Sequence, residues 1–276
     1  MISLDTSRCK KCGRCIRLMK NYCIAEKYGY PVFDYSVCNE CQKCVSICPS
    51  MAIMVNNTYP EKISDPGKLL SPEELASLME RRRSIKHFKD KRIPKKVLLK
   101  IISSAGYAPN QNKNIAIIVI DDKDLIGEID KSALSLVRKV YSFLFSLPPL
   151  TLFFKLFAGN LNALKRKMER DLFRKKHIVK ENTQAVIVLT GPRRVPVTER
   201  SAPYLLSAMI YMAQTLGVGS CLMDSLVHTL NMSRKLKRIL HIKDNILGVL
   251  VLGYSSENIL NIPRGYKLST RWNTGG

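Results

Sequence analysis

The stretch "CNECQKCVSICPS", residues 38 to 50, sets four cysteines at spacings of two, two and three and closes on a proline. It constrains the fold more than any other segment, because thiolates bound to one inorganic centre dictate the path of the backbone around it. Cys38, Cys41, Cys44 and Cys48 followed by Pro49 match the run that wraps a 4Fe-4S cubane. Upstream, "CKKCGRCIRLMKNYC" supplies Cys9, Cys12, Cys15 and Cys23. Eight cysteines suffice for two cubanes. Where two such runs occur together, the fourth thiolate of each crosses to the other cluster. The spacing therefore predicts one site of Cys9, Cys12, Cys15 and Cys48, and another of Cys38, Cys41, Cys44 and Cys23.

A zinc site or a disulfide framework is the plainer alternative. Zinc ribbons use two C-x2-C pairs and have no role for a third cysteine in each run. Disulfides need an oxidising compartment, and the start "MISLDTSRCK" lacks the charged-then-apolar profile of a secretory signal. A cytoplasmic location is expected. The first run departs from the pattern of the second: seven residues separate Cys15 from Cys23, and Ile24 stands where a proline is common.

The chain has 276 residues, 46% of them hydrophobic, enough for more than one domain. Residues 1–60 form the expected cluster domain and 61–276 an enzyme-sized second domain. Between them, "NNTYPEKISDPGKLL" is rich in turn formers. "SPEE" then predicts a helix start, with Ser71 as cap, Pro72 in the first turn and Glu74 completing a capping box.

The formal net charge is +23, and it is unevenly placed. Residues 81–100 hold ten basic residues against one acidic, net +9, and residues 131–180 hold twelve against two, net +10. Such a surface attracts acidic partners at long range. An acidic electron-carrier protein and an anionic membrane surface both fit. Nucleic acid does not, since aromatic platforms and glycine-marked modules are absent. No membrane-spanning segment is predicted: "YSFLFSLPPLTLFF", residues 141–154, is fourteen uncharged residues broken by Pro148 and Pro149. It could lie on a membrane surface, cover a pocket or pack at a subunit interface.

In the second domain a helix is expected from Pro94 to about Gly106, and another over 200–217 that is apolar on nearly every side. "IAIIVI" at 115–120, "AVIVLT" at 185–190 and "ILGVLVLG" at 246–253 read as buried strands. Helices outnumber strands, which makes this an α+β layered domain with a small sheet. "RRRSIKHF", residues 81–88, gathers basic residues and a hydroxyl near a helix end and so resembles a phosphate cradle as well as a solvated basic face. No HExxH, GxSxG or P-loop occurs, and the four histidines, His87, His177, His228 and His241, have no ligand spacing. Catalysis is expected to reside in a cofactor. Direct use of a pyridine nucleotide is unsupported, because no G-x-G-x-x-G follows a strand.

Four stretches in order, "RRRSIKHF", "SSAGYAPNQN", "LGVGSCLMDSL" and "LGVLVLGYS" followed by "PRGYKLSTRW", resemble the FMN-dependent nitroreductase family. The cysteine-rich front end resembles its ferredoxin-fused branch. That likeness implies a nitroreductase-like α/β sandwich behind a small bacterial-ferredoxin-like domain, assembled as a homodimer with FMN at the subunit interface. It implies that Arg82, Arg83, Ser84 and Lys86 grip the FMN phosphate and ring edge, and that Asn110 and Asn112 meet the flavin from the opposite subunit. Leu222, Met223, Asp224 and Ser225 match the backbone turn facing the hydride-carrying nitrogen, and Arg264 matches a second phosphate contact. Two departures stand out. The family continues its second segment with Asn, one residue, then Gln-Pro-Trp where this chain has "NKNIA", leaving Asn114 as the nearest substitute for the glutamine. It also often has glycines where Asp224 and Ser225 stand. Cys221, beside that turn, is expected in the core.

The cofactors expected are thus FMN and two 4Fe-4S clusters. Electrons from a low-potential donor, such as an acidic ferredoxin, pass through the clusters to FMN and on to a small nitro, quinone-like or activated double-bond substrate. The alternative is an electron-transfer module that serves a protein or membrane partner and has no small-molecule substrate.

Overall fold

The computed structural model describes residues 1–20, 22–39, 41–62, 70–109, 114–146, 177–192, 195–263, 265 and 269. The chain forms two compact units, divided between Leu70 and Ser71.

The first unit is an internal repeat. Strand β1 (Ile2–Leu4) leads into the first cysteine run and helix α1 (Arg14–Met19), and a hairpin of β2 (Ile24–Lys27) and β3 (Tyr30–Phe33) follows. The second run then opens helix α2 (Lys43–Ser46), and β4 (Ile53–Val55) returns to pair antiparallel with β1. Tyr28 and Gly29 join the hairpin with φ of 53° and 82°, the left-handed pair that a two-residue turn of matching twist requires. Both runs start from the same device. Asp5 Oδ1 accepts from the Ser7 amide and hydroxyl, at 2.9 and 2.6 Å, and Asp34 Oδ1 accepts from Ser36 at the same two distances. The core of this unit is Ile2, Met19, Ile24, Val45 and Ile53 around the thiols of Cys15, Cys23 and Cys44. So few apolar side chains rarely sustain a domain alone, so bound metal would complete the core.

Among the described residues the second unit is a four-stranded antiparallel sheet in the order β5 (Ala116–Ile120), β6 (Ala185–Gly191), β8 (Asn245–Gly253) and β7 (Gly219–Leu222), with helices on both faces. Strand alternation divides the core. From β6, Val186 and Val188 enter one cluster and Ala185, Ile187 and Leu189 the other; from β8, Val249 and Val251 oppose Leu250 and Leu252. Because both faces are covered, the central strands read as unbroken apolar runs instead of alternating ones.

Helix α3 (Pro72–Arg81) starts as its sequence predicts: the Ser71 amide donates to Glu74 Oε2 at 2.8 Å and the Glu74 amide donates to Ser71 Oγ at 3.1 Å. Helices α4 (Lys95–Ser104) and α6 (Pro196–Thr215) pack on one face of the sheet. The other face is covered by α5 (Lys123–Ser146), α7 (Asp224–Met232) and α8 (Arg234–Ile239). The apolar stretch 141–154 begins within α5, and its continuation lies outside the described residues. Among the described residues no helix is long and apolar enough to cross a membrane.

Candidate functional site

In the first unit, Cys9, Cys12, Cys15 and Cys48 line one recess, whose empty volume with its mouth is about 360 Å³. They stand around the space without converging on a point. Among the described residues no three metal-binding side chains come close enough to share a single ion. Four thiols dispersed around a cavity suit the donor set of a cubane, which presents its iron atoms at separate corners.

Of the other four cysteines, Cys23 and Cys44 are buried, Cys38 is half-buried and Cys41 is exposed. Burial, with Cys38 and Cys41 close by, raises Cys23, and burial pushes Cys44 up to about 12. At Cys48 burial acts upward too, but the Ser50 hydroxyl and the amides of Ala52, Ser50 and Ile53 outweigh it and hold the thiol below its ordinary value. The Ala52 amide donates to Cys48 Sγ at 3.3 Å, and Ser50 Oγ lies 3.6 Å away. A thiol surrounded by donors is set up to be a thiolate, the form that binds metal.

The two runs superimpose residue by residue along the sequence, with Cys9, Cys12 and Cys15 against Cys38, Cys41 and Cys44. Buried Met19 then stands where Cys48 stands in the second run, and Cys23 takes the place of Ala52. The backbone agrees: the Asp34 amide donates to the Cys23 carbonyl at 2.9 Å, as the Asp5 amide donates to the Ala52 carbonyl at 2.8 Å. The long gap after Cys15 therefore moves the fourth cysteine from the end of the helix to the turn before the returning strand.

In the second unit, two candidate segments meet at the edge of the sheet. Ser84 forms a parallel bridge with Ser220 of β7, and the Ile85 amide donates to the Ser220 carbonyl at 2.9 Å. The amides of Lys86 and His87 both donate to Glu257 Oε1, at 2.7 and 2.9 Å. Phe88 bridges Ser255, so the whole segment from Arg82 lies along the ends of β7 and β8. Approach is close: a Cβ on Gly219 would sit 2.9 Å from Ile85 Cγ1.

Leu222 ends β7 and Met223 caps α7, so the turn Leu222–Ser225 is the first thing beyond the bridge. Met223 is buried and anchors the turn, while Leu222, Asp224 and Ser225 are exposed. Asp224 occupies the first turn of α7, where a carboxylate complements the positive helix end. That gives a local reason for an acid where glycine is the family habit.

The helix end beside "RRRSIKHF" is the C-terminus of α3, since Arg81 is its last residue. The negative end of the helix dipole repels an anion there, so attraction must come from side chains. Arg82 and Arg83 are half-buried and Lys86 is exposed, and among the described residues none of the three is in an ion pair. Arg83 Nη1 donates to the Arg82 carbonyl, and the positive charge of the three fits a phosphate-bearing cofactor. Asn110, Asn112 and Arg264 lie outside the described residues. Asn114 is exposed, and Cys221 is buried, its thiol raised by desolvation. Glu257, which helps hold the segment in place, carried no signal in the sequence.

A family profile described as the nitroreductase family matches residues 79–254, and one described as a 4Fe-4S binding domain matches residues 31–54. No curated protein sequence matches the chain. Among solved structures, a nitroreductase with bound FMN from Bacteroides fragilis is 17% identical with a TM-score of 0.56, over 73% of this chain and 99% of that one. A nitroreductase with bound FMN from Desulfitobacterium hafniense is 15% identical with a TM-score of 0.53, over 70% and 93%. An FMN-dependent nitroreductase from Clostridium difficile is 17% identical with a TM-score of 0.52, over 73% and 100%.

Proposed function

Because the chain belongs to the nitroreductase family and carries a 4Fe-4S binding domain ahead of it, we propose that it reduces a small electrophile with electrons received by its front unit. It is an FMN-dependent oxidoreductase with iron–sulfur electron transfer. The substrate class in this reading is a nitro, quinone-like or activated double-bond compound. FMN, when bound, supplies an exchange between single electrons and electron pairs. Two clusters are held, one by Cys9, Cys12, Cys15 and Cys48 and one by Cys38, Cys41, Cys44 and Cys23.

Arg82, Arg83, Ser84 and Lys86, with Arg264, bind the cofactor phosphate and lower the cost of negative charge beside its ring. Leu222, Met223, Asp224 and Ser225 present their backbone to the ring, and Asn110 and Asn112 approach from a second copy in a homodimer. An acidic electron carrier such as a ferredoxin is the donor. The observation that carries this reading is the family match spanning both the Arg82 segment and the Leu222 turn, which the Ser84–Ser220 bridge joins.

Cofactor content and turnover test it together. Anaerobically purified protein should hold about eight iron atoms per chain, as two cubanes require, together with one FMN. It should also reduce members of a nitro, quinone and enone panel when given a reduced acidic ferredoxin. Full cofactor content without turnover on any small molecule would favour a module that passes electrons to another protein.

A further inference from the structure

We infer that the rim of the first cysteine run is the surface on which an acidic electron-carrier protein docks, so that electrons enter the chain near Cys12. The inference rests on the iron–sulfur reading above and adds the location of the contact. Residues 9–20 contain Lys10, Lys11, Arg14, Arg17 and Lys20 and no acid, whereas residues 38–48 contain only Glu40 and Lys43. The two halves of the repeat share a backbone plan, so this difference in charge is not imposed by the fold.

All five cations are exposed. Lys10, Lys11 and Arg14 line the recess of Cys9, Cys12, Cys15 and Cys48, and Cys12 is the exposed cysteine among those four. Among the described residues none of the five is in an ion pair. Lys11 Nζ lies 4.2 Å from the centre of the Tyr30 ring, with its stem against Gly29, and Arg17 Nη1 would sit 3.1 Å from a Cβ on Gly13. Leu18 and Tyr22, both exposed, add apolar area beside the charges. Cations around an exposed ligand with an apolar neighbour suit a partner that carries carboxylates around its own redox centre. The basic segments 81–100 and 131–180 lack a metal-ligand run in their sequence.

The test reads bleaching of iron–sulfur absorbance in a stopped flow, using the full chain and a chemically reduced acidic 2Fe-2S ferredoxin as probe. This signal needs neither FMN nor substrate, so its outcome is separate from that of the enzymatic reading. The Lys10→Gln, Arg14→Gln, Arg17→Gln triple variant should react with the ferredoxin about tenfold or more slowly at low salt, with a flatter salt dependence. Its iron content and its reduction by dithionite should stay at wild-type values. A second triple variant on α4, Lys95→Gln, Lys96→Gln and Lys100→Gln, should keep the wild-type rate. If the first variant loses iron, Arg17→Gln and Lys20→Gln together, which lie off the recess, should still slow the ferredoxin reaction. A wild-type rate in these variants, an equal loss in the α4 variant, or loss of binding to anionic vesicles with the ferredoxin rate unchanged would overturn the assignment.

Discussion

Ser84 and Ser220, far apart in the chain, pair in a parallel bridge that sets the Arg82–Lys86 segment beside the Leu222–Ser225 turn. The bridge depends on Gly219. A Cβ there would meet Ile85 Cγ1 at 2.9 Å and the Gly253 carbonyl at 3.2 Å. Gly219→Ala should therefore push the segment off the sheet edge, at a cost of about 1–3 kcal/mol. Thermal melting and FMN content should both fall; an unchanged FMN content would mean that the bridge does not position the cofactor segment.

Arg82→Ala and Cys41→Ser should separate the two units. If Arg82 binds the cofactor phosphate as proposed, its removal should weaken FMN retention by roughly ten- to a hundredfold and depress turnover with every donor. Cys41→Ser should lower iron content and abolish ferredoxin-driven turnover, while a small chemical reductant still drives the reaction. Loss of FMN in Cys41→Ser would show that the units do not fold independently.

The donors around Cys48 should be visible in a redox titration. Ser50 Oγ lies 3.6 Å from Cys48 Sγ and can donate to a ligating thiolate. Hydrogen bonds to ligand sulfur raise cluster potential, so Ser50→Ala should lower one midpoint by about 40 mV, the one-electron equivalent of ~1 kcal/mol. With two clusters bound as proposed, potentiometric EPR should show one shifted and the other in place.

Asp130, on α5 and nearly buried, accepts from the Ile178 and Val179 amides at 2.7 and 2.8 Å, and its second oxygen lies 2.6 Å from His177 Nδ1. It pins Ile178 and Val179 to α5. Asp130→Ala should cost about 2–3 kcal/mol by leaving those amides unpaired. Asp130→Asn should cost less, because its carbonyl oxygen still accepts from both amides. Melting curves and proteolytic nicking near residue 177 should rank the variants in that order.

The Ser7 and Tyr59 hydroxyls hold the Asp5 carboxyl down to about 2, and Ser36 lowers Asp34. A depressed folded-state value means that the stabilisation is present above the ordinary carboxylate pKa and is lost as pH falls toward the folded one. The first unit should weaken between about pH 5 and pH 2. Asp5→Asn should flatten that dependence, as read from denaturant midpoints of cluster absorbance across the window.

Much of this chemistry was legible in the linear order of residues because it is local. The C-x2-C spacings, the Ser71–Glu74 capping box and the long apolar runs of β6 and β8 each act over a few positions, and covalent geometry alone relates their side chains. The short strand β7 was not legible, since "GSCL" has little strand preference and becomes a strand only by pairing with β8. Nor did any pattern mark Glu257, 171 positions from Lys86, or Asp130, 47 from His177. The polarity of the helix end beside Arg82 was likewise settled by packing. The sequence by itself determined which ligands and charges this protein carries. Only the tertiary structure decided which of them face each other, because such pairings depend on how whole sheets and helices close over their shared cores, and no local spacing encodes that.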